Sequence, residues 1–413
     1  MKILWVKSGK ILPLDTGGKI RSYNILRRLS GQHEVTFLSY YGGRRDDAYN
    51  QKIGREAPGT VTVSTGAWDS TPLARGLDYL VRFPSGRPFA VSKFTSRRVR
   101  RLIARWMAES RFDVAVCDFL SASLNFPWPR RVPSVLFQHN VESVLWRRQA
   151  RTETRFLKRK VFEIEAGRMA RYERSAVRRF HHVIAVSEQD RACMAAMTDA
   201  ARITVVPTGV DLNLYRPDSA ATTDSSLVVF TGSMDWEPNV DGVEYFCGEI
   251  WPRILSRVPS ARFRIVGRAP GARVRKLAGG PVEVTGRVES IIEHLRQAEV
   301  VVVPLRVGGG TRLKILEAMA AGKAVVSTSV GAEGLDVHHG QDIILADDPA
   351  SFADAVVELI ANAEVRRRYE RAAAERACQY DWAVIAARFA SVLHDVTRQA
   401  ASEKSFTQAT LSA

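Results

Sequence analysis

The chain has 413 residues, 46% of them hydrophobic and 25% charged, which is the composition of a globular protein long enough for two domains. Its apolar runs are too short for a membrane span, which excludes a transmembrane protein. Its four cysteines are widely separated and lack paired spacing, so neither a zinc site nor a disulfide framework is indicated. We therefore expect a protein of the reducing cytoplasm.

The net charge of +16 is concentrated in one half of the chain. Residues 1–215 hold 37 lysine and arginine residues against 19 acidic ones, whereas residues 216–413 hold 23 against 25. Such an asymmetry indicates that the first half meets an acidic partner, either nucleic acid or an anionic membrane surface. An ordinary solvated surface is the alternative, but it does not explain why one half carries all the excess.

The first half opens with a βαβ pattern. The apolar run at 3–6 predicts a strand rather than a signal peptide, the spacing over 20–29 predicts an amphipathic helix, and 35–38 predicts a second strand. Gly17 and Gly18 lie at the junction of strand and helix, where such folds bind ligands. The glycine pair is equally compatible with a plain turn.

Further strands follow a region that the sequence reads as irregular, 42–100. A helix is expected near 95–109, and strands at 114–117 and 135–137. His139 follows the carboxyl end of the second of these strands, and in an open α/β sheet that end faces the ligand crevice. A structural histidine and a ligand-contacting one are both compatible with this position.

Residues 144–180 form a long helical stretch in which twelve basic residues stand against four acidic ones. Apolar side chains such as Trp146, Phe156 and Leu157 interleave with the charges. This pattern is typical of a helix that lies on a membrane surface, although a solvated face is the commoner case.

The βα alternation restarts after a small, polar stretch at 217–226, which we interpret as the interdomain linker. Segments in which a strand ends in glycine are predicted at 227–232, 263–268 and 282–286. They are followed by predicted helices at 351–362, 364–378 and 382–397 and by a disordered tail at 399–413.

The most informative stretch of the second half lies between these strands and helices. The β-branched run 300–303 predicts a strand buried on both faces, and apolar spacing from Leu313 to Gly322 predicts a helix. Three glycines, 308–310, separate the two elements, so backbone N–H groups at a helix N-terminus can face an anion. Within and beside this helix start lie Arg312, Lys314 and Glu317.

This arrangement indicates a cradle for a nucleotide diphosphate. The two basic side chains would add charge, and a carboxylate can accept hydrogen bonds from the vicinal hydroxyls of a ribose. A flexible loop beside a solvated glutamate is the alternative, and neither the Walker A motif nor Gly-x-Gly-x-x-Gly is present.

In order, the motifs His-Asn at a strand end, Val-Pro-x-Gly-Val-Asp, Phe-Thr-Gly-Ser, Ile-Val-Gly and Gly-Gly-Gly-Thr-Arg-Leu-Lys-Ile-Leu-Glu-Ala-Met-Ala-x-Gly-Lys resemble the family 4 glycosyltransferases. The resemblance covers most of the chain and is more specific in the second half. It implies an α/β protein of GT-B architecture, with two Rossmann-like domains facing across a cleft. We expect an N-terminal acceptor domain at 1–215 and a C-terminal nucleotide-sugar domain at 216–398, whose final helix crosses back.

The resemblance also implies roles for particular residues. Glu317 matches the glutamate that binds the ribose, and His139 matches the cleft histidine near the donor sugar, here the catalytic candidate. The other implied contacts are with the diphosphate, through Gly18, Gly310, Thr311, Arg312 and Lys314, and with the base, through Arg287 and Val288.

Two departures from the family pattern bear on these roles. The first glutamate of the family's Glu-x7-Glu motif is replaced by Gly309, so the carboxylate near the donor sugar is absent or supplied from elsewhere. The Arg/Lys pair often found after the first strand of the second domain is also missing from 232–236. We expect Arg312 and Lys314 to supply that charge, with Arg268 as a weaker candidate.

The resemblance therefore implies an enzyme that transfers a sugar, with retention of configuration, from a nucleotide sugar to a lipid-linked glycan acceptor. Exopolysaccharide or lipopolysaccharide synthesis is the expected context. No metal and no cofactor other than the nucleotide-sugar co-substrate are expected. We expect a peripheral position at the inner face of the cytoplasmic membrane, and no nucleic-acid partner. The alternative is a non-catalytic basic module that binds anionic lipid or nucleic acid.

Overall fold

The computed structural model describes residues 1–66, 71–128, 132–217, 224–307 and 312–412, with the backbone alone at 72, 73 and 403–412. The chain divides into two compact units. Unit 1 comprises Met1–Pro207 and Ala386–Ala413, and unit 2 comprises Thr208–Ile385.

In the described part of unit 1, a parallel sheet of seven strands has the order β3-β2-β1-β4-β5-β6-β7. The order reverses between β1 and β4, as in a Rossmann fold, and this reversal creates a crevice at the carboxyl ends of the two strands. The strands are β1 (Lys2–Ser8), β2 (Glu34–Tyr41), β3 (Thr60–Ser64), β4 (Val114–Asp118), β5 (Ser134–Phe137), β6 (His182–Ala185) and β7 (Ile203–Val205).

The helices of unit 1 correct two expectations. The prediction that 42–100 is irregular is wrong, because the region contains helices and strand β3. These elements are short and their polar residues give no clear sequence period, so they depend on tertiary contacts for their stability. The predicted helical stretch 144–180 is two helices with a break at 153–155. The helices are α1 (Gly17–Ser30), α2 (Asp47–Glu56), α3 (Pro72–Arg82), α4 (Phe89–Ser92), α5 (Arg97–Ala108), α6 (Glu142–Thr152), α7 (Phe156–Arg179) and α8 (Glu188–Ala195).

Unit 2 repeats the same topology in its described residues. Its parallel sheet has the order β10-β9-β8-β11-β12-β13, which reverses between β8 and β11. All four valines of the central β11 are buried, as the β-branched run predicts. The strands are β8 (Leu227–Thr231), β9 (Arg262–Val266), β10 (Val282–Gly286), β11 (Val300–Val303), β12 (Ala324–Ser327) and β13 (Ile344–Leu345).

The strand and helix predictions for the second half are confirmed, except that the two-residue β13 and several short helices have no clear sequence period. The helices are α9 (Glu237–Tyr245), α10 (Trp251–Leu255), α11 (Ala272–Arg275), α12 (Ile291–Gln297), α13 (Leu313–Ala320), α14 (Pro349–Ala361), α15 (Ala363–Cys378) and α16 (Trp382–Ser412). The predicted linker, 217–226, lies mostly outside the described residues.

The last helix, α16, contributes to unit 1 from residue 386 onwards. There Phe389 stacks on Trp5 at 5.3 Å between ring centroids and meets Phe137 edge-on at 4.9 Å. Residues 399–412, predicted as a disordered tail, instead continue helix α16, and no side chain is described from residue 403 onwards. No helix of the described chain is both long and apolar enough to cross a membrane.

The units differ in extent from the predicted domains 1–215 and 216–398. Residues 208–215 belong to unit 2, because the backbone N–H of Val210 donates to the carbonyl of Tyr380 at 2.8 Å and Tyr215 reaches α13. Each unit is thus a Rossmann-like α/β fold with its own hydrophobic core, as the sequence predicts.

Candidate functional site

In unit 2, the side chain of Lys314 reaches the end of strand β8. Its Nζ donates to Oδ1 of Asn239 at 2.7 Å and lies 4.0 Å from the ring centroid of Phe230. A Cβ on Gly232 would be 2.8 Å from the same Nζ, so only glycine leaves room for the ammonium group there. Burial, together with the charge of Arg312, lowers the pKa of Lys314 to about 7, and the charge of Glu317 opposes this shift.

One helical turn after Lys314, the carboxylate of Glu317 is held by a tyrosine. The hydroxyl of Tyr215 donates to Oε1 at 3.0 Å. Burial raises the pKa of Glu317, whereas this hydrogen bond and the charge of Lys314 oppose that shift. The second carboxylate oxygen, Oε2, has no hydrogen bond to the described residues, so it is the atom placed to accept from a ligand.

The other predicted cations have partners of their own. The buried guanidinium of Arg312 pairs with Glu333 at 3.1 Å, and its backbone is left-handed, with φ 44°. The half-exposed Arg268 donates from Nε to the hydroxyl of Ser233 at 2.7 Å and lies 3.6 Å from Asp235. Of the three basic side chains, Lys314 is therefore the one placed at the crevice between β8 and β11.

The remaining predicted residues of unit 2 are the pair before α13 and the pair after strand β10. Gly310 and Thr311, like Gly309, lie outside the described residues. Arg287 is exposed and Val288 half-buried after strand β10, where Gly286 adopts φ 72°. Neither residue is hydrogen-bonded to Lys314 or Glu317.

In unit 1, the carboxylate of Asp118 is the centre of a fully buried polar network at the ends of β1 and β4. Its Oδ2 pairs with Lys7 at 3.1 Å and accepts from the indole N–H of Trp5 at 3.0 Å. Its Oδ1 accepts from the hydroxyl of Ser22 at 3.0 Å and lies 2.8 Å from Nε2 of His139. Burial alone would raise the pKa of Asp118, but the charge of Lys7 and the bond from His139 hold it below its ordinary value.

This network fixes the protonation state of His139. Burial lowers its pKa to about 3, although Asp118 opposes the shift, so the imidazole is neutral. Because the ionised carboxylate of Asp118 can only accept, Nε2 carries the proton and Nδ1 carries the lone pair. The buried Nδ1 has no hydrogen-bond partner in the described structure. The ring is held flat against Phe119, at 3.8 Å between centroids and 13° between planes.

Gly18 has a packing role in addition to its predicted one. A Cβ at this position would be 2.5 Å from Cζ of Phe119, the ring that covers His139. Any side chain at 18 would therefore displace that ring. The structure thus brings Gly18 and His139 together through Phe119, and Lys314 and Glu317 together on α13.

Sequence reasoning missed most partners in these networks, among them Lys7, Asp118, Tyr215 and Asn239. Lys7 and Asp118 each end a buried strand, and a charge there is a usable signal for the strand-end crevice. Tyr215 and Asn239 reach α13 from distant segments, and nothing in their local sequence indicates that contact.

Comparisons with known proteins bear on both units. The family model described as "Glycosyltransferase Family 4" matches residues 16–214, and that described as "Glycosyl transferases group 1" matches residues 225–362. The chain is 26% identical to phosphatidyl-myo-inositol mannosyltransferase of Mycolicibacterium smegmatis over 364 residues, 84% of this chain and 88% of that protein. The protein of the same name from Mycobacterium leprae is 33% identical over 152 residues, 35% of this chain and 41% of the relative.

Solved structures with the same fold cover nearly the whole chain. Sucrose-phosphate synthase from Thermosynechococcus elongatus superposes with a TM-score of 0.68 at 16% identity, covering 97% of this chain and 100% of that one. Anabaena HepE in complex with UDP and glucose superposes with a TM-score of 0.63 at 15% identity, covering 96% and 100%. At these identities the likeness concerns the fold, and the predicted GT-B class is confirmed.

The Tyr215–Glu317 hydrogen bond gives a pH-dependent prediction. When folding raises the pKa of a carboxyl group, that group stabilises the native state at low pH. This contribution is lost as pH rises through the pKa of the folded state, because the native state then gives up its extra proton. Tyr215→Phe removes a donor to the ionised form and raises that pKa further. We expect the variant to lose about 1.5–3 kcal/mol in the free energy of unfolding at pH 8 and less at pH 5.

Denaturant unfolding at both pH values measures the difference. Tyr245→Phe is the matched control, since its ring lies under Arg306 and not beside Glu317. A Tyr215→Phe variant whose loss is equal at the two pH values would show that its hydroxyl does not act on the Glu317 carboxylate.

Proposed function

Because this chain belongs to the family 4 glycosyltransferases, we propose that it transfers a sugar from a nucleotide-sugar donor to a hydroxyl of a lipid-linked glycan, with retention of configuration. The finer proposal extends to cell-surface polysaccharide synthesis. The proposal is carried by one observation: a carboxylate and a cation, both half-buried, Glu317 and Lys314, share the first turns of α13 at the strand-order reversal of unit 2. Relatives named for transfer to an inositol lipid and a neighbour solved with UDP support it.

The donor would bind with its ribose on Glu317 and its diphosphate near Lys314. Tyr215 occupies Oε1 of Glu317, which leaves Oε2 for a ribose hydroxyl. The N-terminus of α13 adds backbone N–H groups, with Gly310 and Thr311 as proposed further contacts and Arg287 and Val288 as proposed base contacts. Arg312 would act indirectly, since its charge lowers the pKa of Lys314 while its guanidinium pairs with Glu333.

The transfer would proceed by attack on the same face from which the diphosphate leaves. The bond from the anomeric carbon to the diphosphate oxygen breaks, the bond to the acceptor oxygen forms, and the acceptor's proton passes to the leaving diphosphate. Charge grows on the departing phosphate, and a preorganised cation and backbone amides stabilise it. We propose that Lys314 and the loop amides supply this stabilisation without a metal.

The neutral His139 would position the donor sugar. Its buried Nδ1 is an acceptor without a partner among the described residues, and an unmet acceptor is costly unless a ligand hydroxyl donates to it. Since Nε2–H is committed to Asp118, Nδ1 is the ring atom left to accept from a ligand hydroxyl. Asp118 and Lys7 would act through His139 by fixing its tautomer.

A donor panel tests the proposed function. Thermal shifts with UDP-, GDP-, dTDP- and ADP-sugars should identify one nucleotide that stabilises the protein, by about 2.7 kcal/mol at a hundredfold excess over Kd. The stabilising sugar should also be hydrolysed slowly in the absence of acceptor. In His139→Ala that hydrolysis should fall strongly while nucleoside diphosphate binding is kept.

His182→Ala is the matched control for the histidine. His182 is also buried in unit 1, but its Nε2 lies 2.8 Å from the hydroxyl of Thr204, so its role is structural. A panel in which no nucleotide sugar binds or is hydrolysed would overturn the proposal. Equal rates in His139→Ala and the native enzyme would remove only the positioning role.

The pKa of Lys314 predicts a pH profile. With a pKa of about 7 in the free enzyme, the cation is lost as pH rises through that value, so kcat/KM should fall there. Lys314→Met should lower kcat by about 100-fold, the usual cost of one missing electrostatic contact. Lys314→Arg keeps its charge at any working pH, so it should be slower but lack the fall near pH 7. An unchanged alkaline limb in Lys314→Arg would contradict this assignment.

We also propose that unit 1 binds an anionic membrane surface through helices α3 and α7, here called the apolar surface. Its exposed side chains are Leu77, Leu80 and Val81 on α3 and Phe156, Leu157, Val161 and Ile164 on α7. The two helices are joined by the bond from Tyr79 to Glu165 at 3.4 Å and by that from Arg168 to the carbonyl of Phe83 at 2.9 Å. Exposed apolar groups of this number, surrounded by basic residues, fit an interfacial helix pair.

Vesicle co-sedimentation tests the membrane contact. Binding should require anionic lipid and weaken with salt. It should be lost in the double variant Leu80→Ser with Leu157→Ser, which removes exposed apolar side chains. It should also be lost when Arg147, Arg148, Arg151 and Arg155 are changed to Glu, since each basic side chain near the leaflet contributes about 1 kcal/mol. Leu214→Ser with Val384→Ser and Arg367→Glu with Arg371→Glu are exposed controls in unit 2. Tight DNA binding without vesicle binding would overturn the proposal.

A further inference from the structure

Unit 1 contains a basic cavity whose lining residues take no part in the proposed sugar transfer. It has a volume of about 100 Å³ and lies between the start of α5, the 3₁₀ segment Leu120–Asn125 and the second half of α7. No acidic residue of the described chain lines it. We call it the arginine pocket, after three of its lining residues; those used below are Arg87, Thr95, Arg100, Ser123, Tyr172 and Arg179.

The guanidinium groups of the arginine pocket are placed to share a ligand. No hydrogen bond or ion pair joins the side chain of Arg87 or Arg100 to another described residue. Burial raises the pKa of the Tyr172 hydroxyl, and the charges of Arg87 and Arg179 oppose this shift. Both guanidinium charges therefore act on this one hydroxyl. Three like charges around one small volume repel one another, and an anion between them removes that repulsion.

The rest of the wall carries hydroxyl groups beside apolar side chains such as Leu124 and Phe126. Ser123 donates to the carbonyl of Leu120 at 2.6 Å, so the 2.6 Å contact between Ser123 and Tyr172 has the tyrosine as donor. The hydroxyl of Thr95 is buried and has no hydrogen-bond partner in the described structure. An oxygen-rich anion would accept from this hydroxyl and from the guanidinium groups together.

The size of the pocket limits that anion to a small group. Sites for whole small molecules usually occupy roughly 300–1,000 Å³, so a nucleotide does not fit a cavity of about 100 Å³. A phosphate group does fit, and arginine forks match its oxygens in pairs. Phosphate is therefore the chemistry that the arginine pocket favours.

The position of the pocket points to the source of the phosphate. Arg87 follows Phe83 by four residues, and the Phe83 ring lies 4.0 Å from the guanidinium carbon of Arg168 on α7. Tyr172 lies one helical turn beyond Arg168 on the same helix. The arginine pocket thus begins about two helical turns beyond Ile164 on α7, the last exposed side chain of the apolar surface, whose side chains would enter the lipid.

We propose that the arginine pocket binds the phosphate group of a lipid at the membrane surface, while the apolar surface holds the hydrocarbon part. This inference rests on the proposed membrane contact and is independent of the donor site. In a lipid-linked acceptor, the same contact would anchor the phosphate end of the molecule on unit 1.

Isothermal titration of the whole chain with dihexanoyl phosphatidic acid below its micelle concentration tests the proposal, with inorganic phosphate as the second arm. Arg87→Gln with Arg100→Gln should weaken lipid binding at least tenfold. The charge-matched control, Arg97→Gln with Arg101→Gln on exposed positions of the same region, should leave it unchanged. Thr95→Val, which keeps the charge and the side-chain shape, should weaken binding severalfold, and a Lys314→Met background should not affect it.

Each outcome decides one part of the proposal. Lipid binding that is stronger than phosphate binding and lost in the pocket variants supports the lipid source. Equal, pocket-dependent binding of both ligands would keep the phosphate site and overturn its lipid source. Losses that are equal in the pocket and control variants, or binding abolished only by Lys314→Met, would overturn the pocket altogether.

Discussion

The buried ion pair between Lys7 and Asp118 is the interaction on which the geometry of unit 1 depends. Both side chains are nearly inaccessible to solvent and end neighbouring parallel strands, where the strand order reverses. Removing one partner would leave an uncompensated buried charge, which typically costs 3–5 kcal/mol. Because the carboxylate is kept ionised, it also orients Trp5, Ser22 and His139, and the histidine can hold only one tautomer.

Unit 2 uses the same topology with a different distribution of charge. At its strand-order reversal, Lys314 reaches across to the end of β8 and is bound by the neutral amide of Asn239. A cation in such surroundings is poorly compensated, which is why burial lowers its pKa to about 7. The unit thus holds a cation that an incoming diphosphate would stabilise, in keeping with the missing Arg/Lys pair after β8.

The basic character of unit 1 separates into distinct parts in three dimensions. Some arginines are structural, such as the buried Arg21, which donates to the backbone carbonyls of Gln138 and Val206 at the strand ends. Others surround the apolar surface or line the arginine pocket. The charge excess of residues 1–215 therefore reflects several local requirements rather than one.

The sequence by itself determined the alternation of strands and helices in the second half, the strand at 300–303, the helix after it and the positions of His139, Lys314 and Glu317. These features depend on local periodicity and on which residues end buried strands, so a linear pattern contains them. It also indicated that the first half was basic, but not which arginines were buried and which were exposed.

Only the tertiary structure decided which partners those residues have. Tyr215 lies 102 positions before Glu317, and Asp118 lies 111 after Lys7, so no local pattern links them. The same holds for Arg312, which pairs with Glu333, and for the exposed apolar side chains of α3, in a region without a clear period. Contacts between distant segments arise from packing of the sheets, and packing is what the linear sequence does not display.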